Sequence, residues 1–211
     1  MSYRIGHPIR WRFNAWIFHA GDDILHKIYG GWKQQIFEDL PDSVVELGPG
    51  TGTNFRYYRR GILLTAIEPN PMMHDRMRRN AEQYGINLDM RESKAESLDL
   101  ADQSTDAVVA TLVLCAVNQT QVLNQIHRIL RPGGRLLFLE HVAAPKGTLL
   151  RRFQDIVRQP WQWCFEGCNL TCETDSVLRT AGFSKIELEY FELKGLSSVP
   201  AKHHIVGIAT K

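Results

Sequence analysis

Val44-Val45-Glu46-Leu47-Gly48-Pro49-Gly50-Thr51-Gly52-Thr53-Asn54 is the stretch on which the fold turns. Residues 44–47 form a short apolar run suited to a buried parallel strand. The run breaks into three alternating glycines, which a chain uses where its backbone must turn sharply or approach a ligand closely. Residues 54–60 then read as the opening of a helix whose first amides face the same ligand. The glycines fall as G-x-G-x-G and not as the G-x-G-x-x-G of dinucleotide sites. Glu46, just ahead of the turn, suits a cationic ligand better than a pyrophosphate. Residues 63–67 are a second buried strand ending in Glu68, where Rossmann-type domains hold ribose hydroxyls. A plain strand-to-helix turn would account for the glycines but not for both acids.

Outward from this stretch, a chain of 211 residues with a net charge of +2 fits one domain with a substantial core. That charge points to no nucleic-acid partner. No apolar run is long enough to span a bilayer, and residues 1–12 lack the continuous apolar core of a signal peptide. The four cysteines, with no export signal, read as thiols of a reducing cytoplasm.

Ahead of the first strand, Trp11, Phe13, Trp16, Ile17 and Phe18 concentrate aromatic and apolar side chains between Arg4, Arg10 and Arg12, within an irregular extension. Residues 33–40 are expected to be helical, with Ile36, Phe37 and Leu40 on one face. This segment is read as a cap and lid over the pocket, with contact at a lipid surface as the minority alternative. Pro69-Asn70-Pro71 ends the second strand and starts a helix through Asn80, with Pro71 in its first turn. Residues 86–91 are an edge-like third strand and residues 105–111 an apolar fourth. The segment 111–117 then lies beyond the strand ends, where α/β sheets bind ligands.

A helix over 121–130 turns Val122, Ile126, Ile129 and Leu130 inward. Arg131-Pro132-Gly133-Gly134 stops it, and 135–139 is the fifth strand, ending in Glu140-His141. Residues 147–165 form an aromatic, amphipathic helix outside the minimal fold, the natural second wall of a pocket. Thr171 is expected to cap the next helix, which stops at Gly182. Residues 186–191 and 205–209 close the sheet as a hairpin.

The segments E-L-G-P-G-T-G at 46–52, I-E-P-N at 67–70 and L-R-P-G-G at 130–134 resemble, in order and spacing, the motifs of class I S-adenosylmethionine-dependent methyltransferases. The resemblance implies an α/β, Rossmann-like fold with a seven-stranded, mostly parallel sheet and a C-terminal antiparallel hairpin. It divides one domain, 1–211, into an N-terminal cap or lid (1–40), a donor-binding core (44–142), a helical insertion (147–170) and a closing unit (171–211). Within that class, 111–115, 139–142, 166–171 and 200–207 resemble the methyltransferase-like seven family, membrane-associated enzymes that methylate small alkyl thiols. Two departures stand out: the N-terminal segment is not an apolar membrane anchor, and Cys172 stands where a basic residue is usual.

The resemblance implies S-adenosylmethionine as donor and a small, partly apolar acceptor, a thiol first. A quinone, a lipid or another hydrophobic molecule is the next alternative, a cysteine-bound metalloid the third, and donor binding without turnover the fourth. Glu46 would attract the methionine ammonium, and Gly48, Gly50 and Gly52 would let the backbone approach the donor. Glu68 would hold the ribose, with Pro69 beside it, and Asn70 and Met73 would border the adenine. Ala95 and Glu96 carry over from the loop that flanks the adenine in relatives, while Thr111 and Leu112 sit where methyl and acceptor meet. His141 is the first candidate for a base, since imidazole titrates near neutral pH; a structural histidine bonded to the cap or insertion is equally expected. His19, His26, His203 and His204 are weaker candidates.

Cys164, Cys168 and Cys172 recur at every fourth position, which on one helix would suit a soft metal or arsenic(III). Gly167 and the cap expected at Thr171 interrupt such a helix, and no second ligand pair stands at zinc spacing. Buried thiols and no metal are therefore expected, with Cys115 a small apolar contact.

Overall fold

A computed structural model describes residues 8–193 and 200–211; Arg4 of the basic N-terminal flank lies outside them. In chain order the strands are β1 (Ser43–Leu47), β2 (Leu63–Ile67), β3 (Asn87–Arg91), β4 (Thr105–Thr111), β5 (Leu130–His141), β6 (Lys185–Glu192) and β7 (His203–Thr210). They form one sheet in the order β3-β2-β1-β4-β5-β7-β6. β1 to β5 pair in parallel, while β7 runs antiparallel to both β5 and β6. The helices are α1 (Pro8–Phe37), α2 (Pro71–Tyr84), α3 (Gln119–Ile129), α4 (Leu149–Cys164) and α5 (Thr174–Thr180).

The central strands are apolar on both faces because helices cover both. Val108 and Ala110 of β4 and Leu136 and Phe138 of β5 pack on α3, whose Val122, Leu123, Ile126 and Ile129 recur at helical spacing. Ala107, Val109, Leu137 and Leu139 point the other way, to Tyr29 and Phe37 of α1 and Met77 and Ala81 of α2. Glu46 sits two residues from Val44 on that second face, which places its carboxylate beneath α1.

Several local expectations are corrected. The N-terminal segment is not irregular with a helix at 33–40: one helix of 30 residues runs to Phe37. No helix opens over 54–60. A single 3-10 turn, Phe55–Tyr57, gives way to extended backbone at Tyr58, because the Tyr58 hydroxyl turns in to donate to Glu46 at 3.0 Å. Thr171 caps no helix, for α5 starts three residues later with Glu173 at its cap position, and the Thr171 hydroxyl bonds the Asn169 side chain instead. The cap of α3 is Asn118, which accepts from Gln121 N. Arg131 to Gly134 does not separate helix from strand: β5 begins at Leu130, opposite Thr105, and the four residues form an irregularity in the ladder before Ala107 meets Arg135.

α1 packs against α4 through Phe13 and Trp163, whose rings lie 5.4 Å apart. The same two helices leave Ile9, Trp16, Leu149 and Ile156 exposed. No helix among the described residues is long and apolar enough to cross a membrane.

Candidate active site

The C-terminal ends of β1, β2 and β4 open into one cleft, roofed by α1 and closed at one side by the segment after α4. Its empty space is about 1040 Å³, open mouth included, at the upper end of the roughly 300–1,000 Å³ of small-molecule sites. The turn after β1 supplies Gly48, Pro49, Gly50 and Thr51; β2 delivers Glu68, Pro69 and Asn70; α2 contributes Met73. Thr111, Leu112 and Val113 come from the end of β4, and Trp11 and Phe18 from α1.

Glycine at 48 answers a steric need. Its φ is +58°, and a Cβ built there would lie 2.5 Å from Val113 Cγ2. Gly50 has the same φ but open space around its missing Cβ, so backbone and cleft meet there without a side chain between them. Leu112 adopts φ +56°, a left-handed conformation that a Cβ resists; its amide donates to Leu139 O at 2.8 Å.

The anchor of the cleft is Glu68. Its carboxylate accepts from Gly50 N at 3.0 Å and Asn70 N at 2.9 Å, so one side chain ties the end of β2 to the glycine turn. Burial raises its pKa from 4.5 to about 8, and the nearby Glu166 adds to the rise. Asn70 caps α2 by accepting from Met72 N and donates through Nδ2 to Glu166 Oε1 at 2.6 Å.

Glu46 does not line the cleft. It lies beneath it, where Asn54 Nδ2 donates to Oε1 at 2.6 Å and the Tyr58 hydroxyl to Oε2. Burial raises its pKa from 4.5 to about 7 against the pull of those two bonds. Asn54 itself lines the cleft; its amide also donates to Thr111 Oγ1 at 2.8 Å, and its buried Oδ1 has no hydrogen-bond partner among the described residues. Gly52 lies behind the turn against Phe55. Ala95 is packed in the core, and Glu96 accepts from Asn118 N at the start of α3, so neither of those residues reaches the cleft.

His141 is buried at the end of β5 and also stays off the cleft. Its Nε2 lies 2.9 Å from Cys168 Sγ, and Cys172 Sγ donates to its carbonyl at 3.3 Å. Cys168 accepts from Trp161 Nε1 at 3.1 Å. Its thiol is held well below the ordinary range, first by Cys115 and then by His141, against its burial. Burial depresses His141, but Cys168 and Cys172 together outweigh it and the net direction is upward. His204 is a buried partner of the Tyr29 hydroxyl, at 2.8 Å, while His203 pairs with Glu192 and His26 with Tyr57.

Sequence reasoning missed Asn54 and Glu166 as members of this site and Cys115 as a neighbour of His141. Glu166 bonds Asn70 across 96 residues, a relation with no local signal. Asn54 was within reach, as a polar side chain two residues after the last of the glycines.

Residues 45–138 match the family described as a methyltransferase domain. Human thiol S-methyltransferase TMT1A is 38% identical over 191 residues, covering 85% of this chain and 78% of that protein. Thiol S-methyltransferase TMT1B of Rattus norvegicus is 34% identical over 200 residues, again covering 85% and 78%. Among solved structures, an S-adenosylmethionine-dependent methyltransferase from Thermotoga maritima matches with a TM-score of 0.67, 20% identity, and coverage of 96% of this chain and 99% of that one. At that identity the likeness is one of fold.

Proposed function

The chain belongs to the thiol S-methyltransferase family of S-adenosylmethionine-dependent enzymes, and from that premise we propose that it methylates the sulfur of a small, partly apolar thiol. The donor follows from the family; the acceptor is the step proposed.

The cleft fits that donor. When bound, S-adenosylmethionine supplies a methyl group made electrophilic by its sulfonium sulfur. The residues have the matching polarity: Glu68 brings a carboxylate to the end of β2, where ribose hydroxyls are held in this fold class. Asn54 presents a buried carbonyl oxygen with no hydrogen-bond partner among the described residues, an unmet acceptor of the kind an ammonium N–H satisfies. Glu46 stands directly behind Asn54 and adds negative charge on the same side. Gly48 and Gly50 leave the backbone bare, and Met73 offers an apolar edge.

The thiol is carried by the family; what supports a partly apolar acceptor is the other wall. Trp11, Phe18, Leu112, Val113 and Phe165 line it, an apolar surface that orients an alkyl chain and excludes water. Methyl transfer is an in-line displacement, so holding nucleophile and methyl carbon in line is the main task of these residues. The acceptor must lose its proton, because the thiolate is the nucleophile. Beside that wall His141 Nε2 faces Cys168 Sγ at 2.9 Å, and a His141→Ala variant with unchanged turnover would leave that pair without a part in the reaction. A cytoplasmic setting belongs to the same proposal, since all four cysteines are free thiols, as a reducing compartment keeps them.

The experiment is release of S-adenosylhomocysteine with a panel of alkyl and aryl thiols against matched phenols, amines and quinones. Turnover confined to thiols and lost in Glu68→Ala is the expected result. Turnover on a phenol or quinone with silence on thiols would overturn the acceptor assignment and leave the donor site standing.

A further inference from the structure

Three side chains from separate parts of the chain converge beside the cleft. Cys115 sits between β4 and α3, His141 ends β5, and Cys168 follows α4. Their ligand atoms, two Sγ and one imidazole nitrogen, all lie within 4.8 Å of one another. A tetrahedral zinc ion, with Zn–S near 2.3 Å and Zn–N near 2.0 Å, spaces such atoms about 3.5–3.8 Å apart. The 2.9 Å between His141 Nε2 and Cys168 Sγ would open by about 0.6 Å to admit the ion, a change within the reach of side-chain rotation.

The surroundings suit a cation. Trp161 Nε1 donates to Cys168 Sγ, which favours a thiolate there. Asn169 N donates to Cys115 O at 2.8 Å, fastening the Cys168 segment to the Cys115 turn. Glu140 is fully buried; its Oε1 accepts from Val113 N and Leu114 N, just ahead of Cys115, while its Oε2 has no hydrogen-bond partner among the described residues. A buried carboxylate with an unmet oxygen favours positive charge nearby. Two thiolates and one imidazole select zinc over a hard cation, and the imidazole favours it over arsenic(III).

We propose that Cys115, His141 and Cys168 hold a zinc ion whose fourth position takes the acceptor sulfur. The second half of this statement rests on the thiol reading above; the first does not. Three protein ligands and one open position are the arrangement of catalytic zinc sites. Cys115 lines a second cavity, together with Gly167 and Cys172, and that cavity shares Ala116 and Val117 with the donor cleft. An acceptor thiol entering there loses its proton to solvent as its sulfur binds the ion, since a coordinated thiol is deprotonated. A sulfur lone pair then forms the new S–CH3 bond while the bond from methyl carbon to sulfonium sulfur breaks. The products are a neutral thioether, a weak ligand that leaves, and S-adenosylhomocysteine.

The test is reconstitution of the full-length, metal-stripped protein with cobalt(II), followed by absorption spectroscopy. The expected result is one cobalt per chain with a sulfur-to-cobalt charge-transfer band, and a further change in that band on adding octanethiol but not its methyl thioether. In Cys168→Ser and Cys115→Ser the cobalt affinity falls by more than the roughly 10–100-fold that losing a partner of a ligand costs. Donor binding by both variants shows that they fold. Absence of a charge-transfer band in the wild type, or full cobalt affinity in both variants, overturns the site. A band that octanethiol leaves unchanged, or equal thiol turnover by metal-stripped protein, overturns the fourth-position assignment alone. Failure of the thiol reading shows separately, as silence of every thiol in the release assay.

Discussion

The two walls of the cleft are made by different means. The donor wall is local: a glycine turn, the end of the next strand and the first turn of the next helix, all within residues 48–73, locked together by backbone amides on Glu68. The acceptor wall is assembled from distance. Glu166 bonds Asn70, α1 packs on α4, and behind the cleft His141 faces Cys168. The difference teaches that donor recognition is set by backbone geometry, which few substitutions preserve, whereas acceptor recognition depends on side-chain contacts that can be exchanged singly.

The largest effect is expected where the donor wall is most concentrated. Glu68→Ala removes the acceptor of two backbone amides and, on the donor site proposed above, the group that faces the ribose. Hydrogen bonds to a charged group are worth about 1.5–3 kcal/mol, so donor affinity should fall at least about 10- to 100-fold by calorimetry. A fall of less than threefold would mean that the turn holds its shape without its anchor, and the contrast between the walls would be lost.

Gly48→Ala against Gly50→Ala sharpens the same point. Both have φ +58°, but only at 48 does the new methyl meet Val113, at 2.5 Å. Left-handed backbone costs an ordinary residue roughly 1–2 kcal/mol, so that loss is common to both. Gly48→Ala should lose about 1–3 kcal/mol more from overpacking, seen as a lower urea midpoint and weaker donor binding. Equal losses would mean that Val113 moves freely, and with it the lip that both walls share.

Protonation gives a third test, confined to the donor wall. The Glu68 carboxyl is pushed up from an ordinary 4.5 to about 8, first by burial and then by Glu166 and Glu46, against the pull of its two backbone amides. A raised pKa means that the folded protein holds a proton which the unfolded chain has released between those two values. The stability this confers is complete below about 4.5 and is lost as pH rises through about 8, following the proton balance between the two states. A cationic donor favours the ionised carboxylate, so its binding expels that proton and donor affinity rises from pH 6 to 9. Glu68→Gln should flatten that rise; an unchanged slope would assign it to another group.

The donor wall was legible because its residues are neighbours in sequence and carry periodic signals. Glycines, an acid at a strand end and a proline in the first helical turn each follow from local backbone demands, and the β1, β2 and β4 runs are apolar because both faces are covered. The acceptor wall had no such signal. Cys164, Cys168 and Cys172 drew attention by their spacing, yet Cys168 meets Cys115 and His141 through tertiary folding, while Cys164 is not in that cluster. The place of Glu46 beneath the cleft turned on Tyr58, whose inward hydroxyl replaced an expected helix with extended backbone. Competition between local propensity and a buried carboxylate's need for donors is invisible until both are placed.

A smaller effect measures the seam between the walls. Asn70 Nδ2 donates to Glu166 Oε1 at 2.6 Å, so Asn70→Ala and Glu166→Ala should couple in a double-mutant cycle by about 0.5–3 kcal/mol, read by urea unfolding. Zero coupling would make the acceptor wall energetically independent of the donor wall.

The smallest effect should come from Thr171→Val, which puts a motif reading against a tertiary one. Had Thr171 capped a helix, its loss would cost about 1 kcal/mol, as expected for Asn118→Ala at the true cap of α3. Thr171 Oγ1 instead meets Asn169 Oδ1 at 3.0 Å, and that same oxygen keeps the backbone amide of Thr171 at 3.2 Å. Asn169 Oδ1 therefore retains a donor when the hydroxyl is removed, and no buried group is stranded. The unfolding midpoint of Thr171→Val should shift by less than half the shift of Asn118→Ala. An equal or larger shift would mean that the hydroxyl helps to hold the Asn169 turn, whose amide fastens the acceptor wall to Cys115, and that this wall owes more to a single local bond than its long-range contacts suggest.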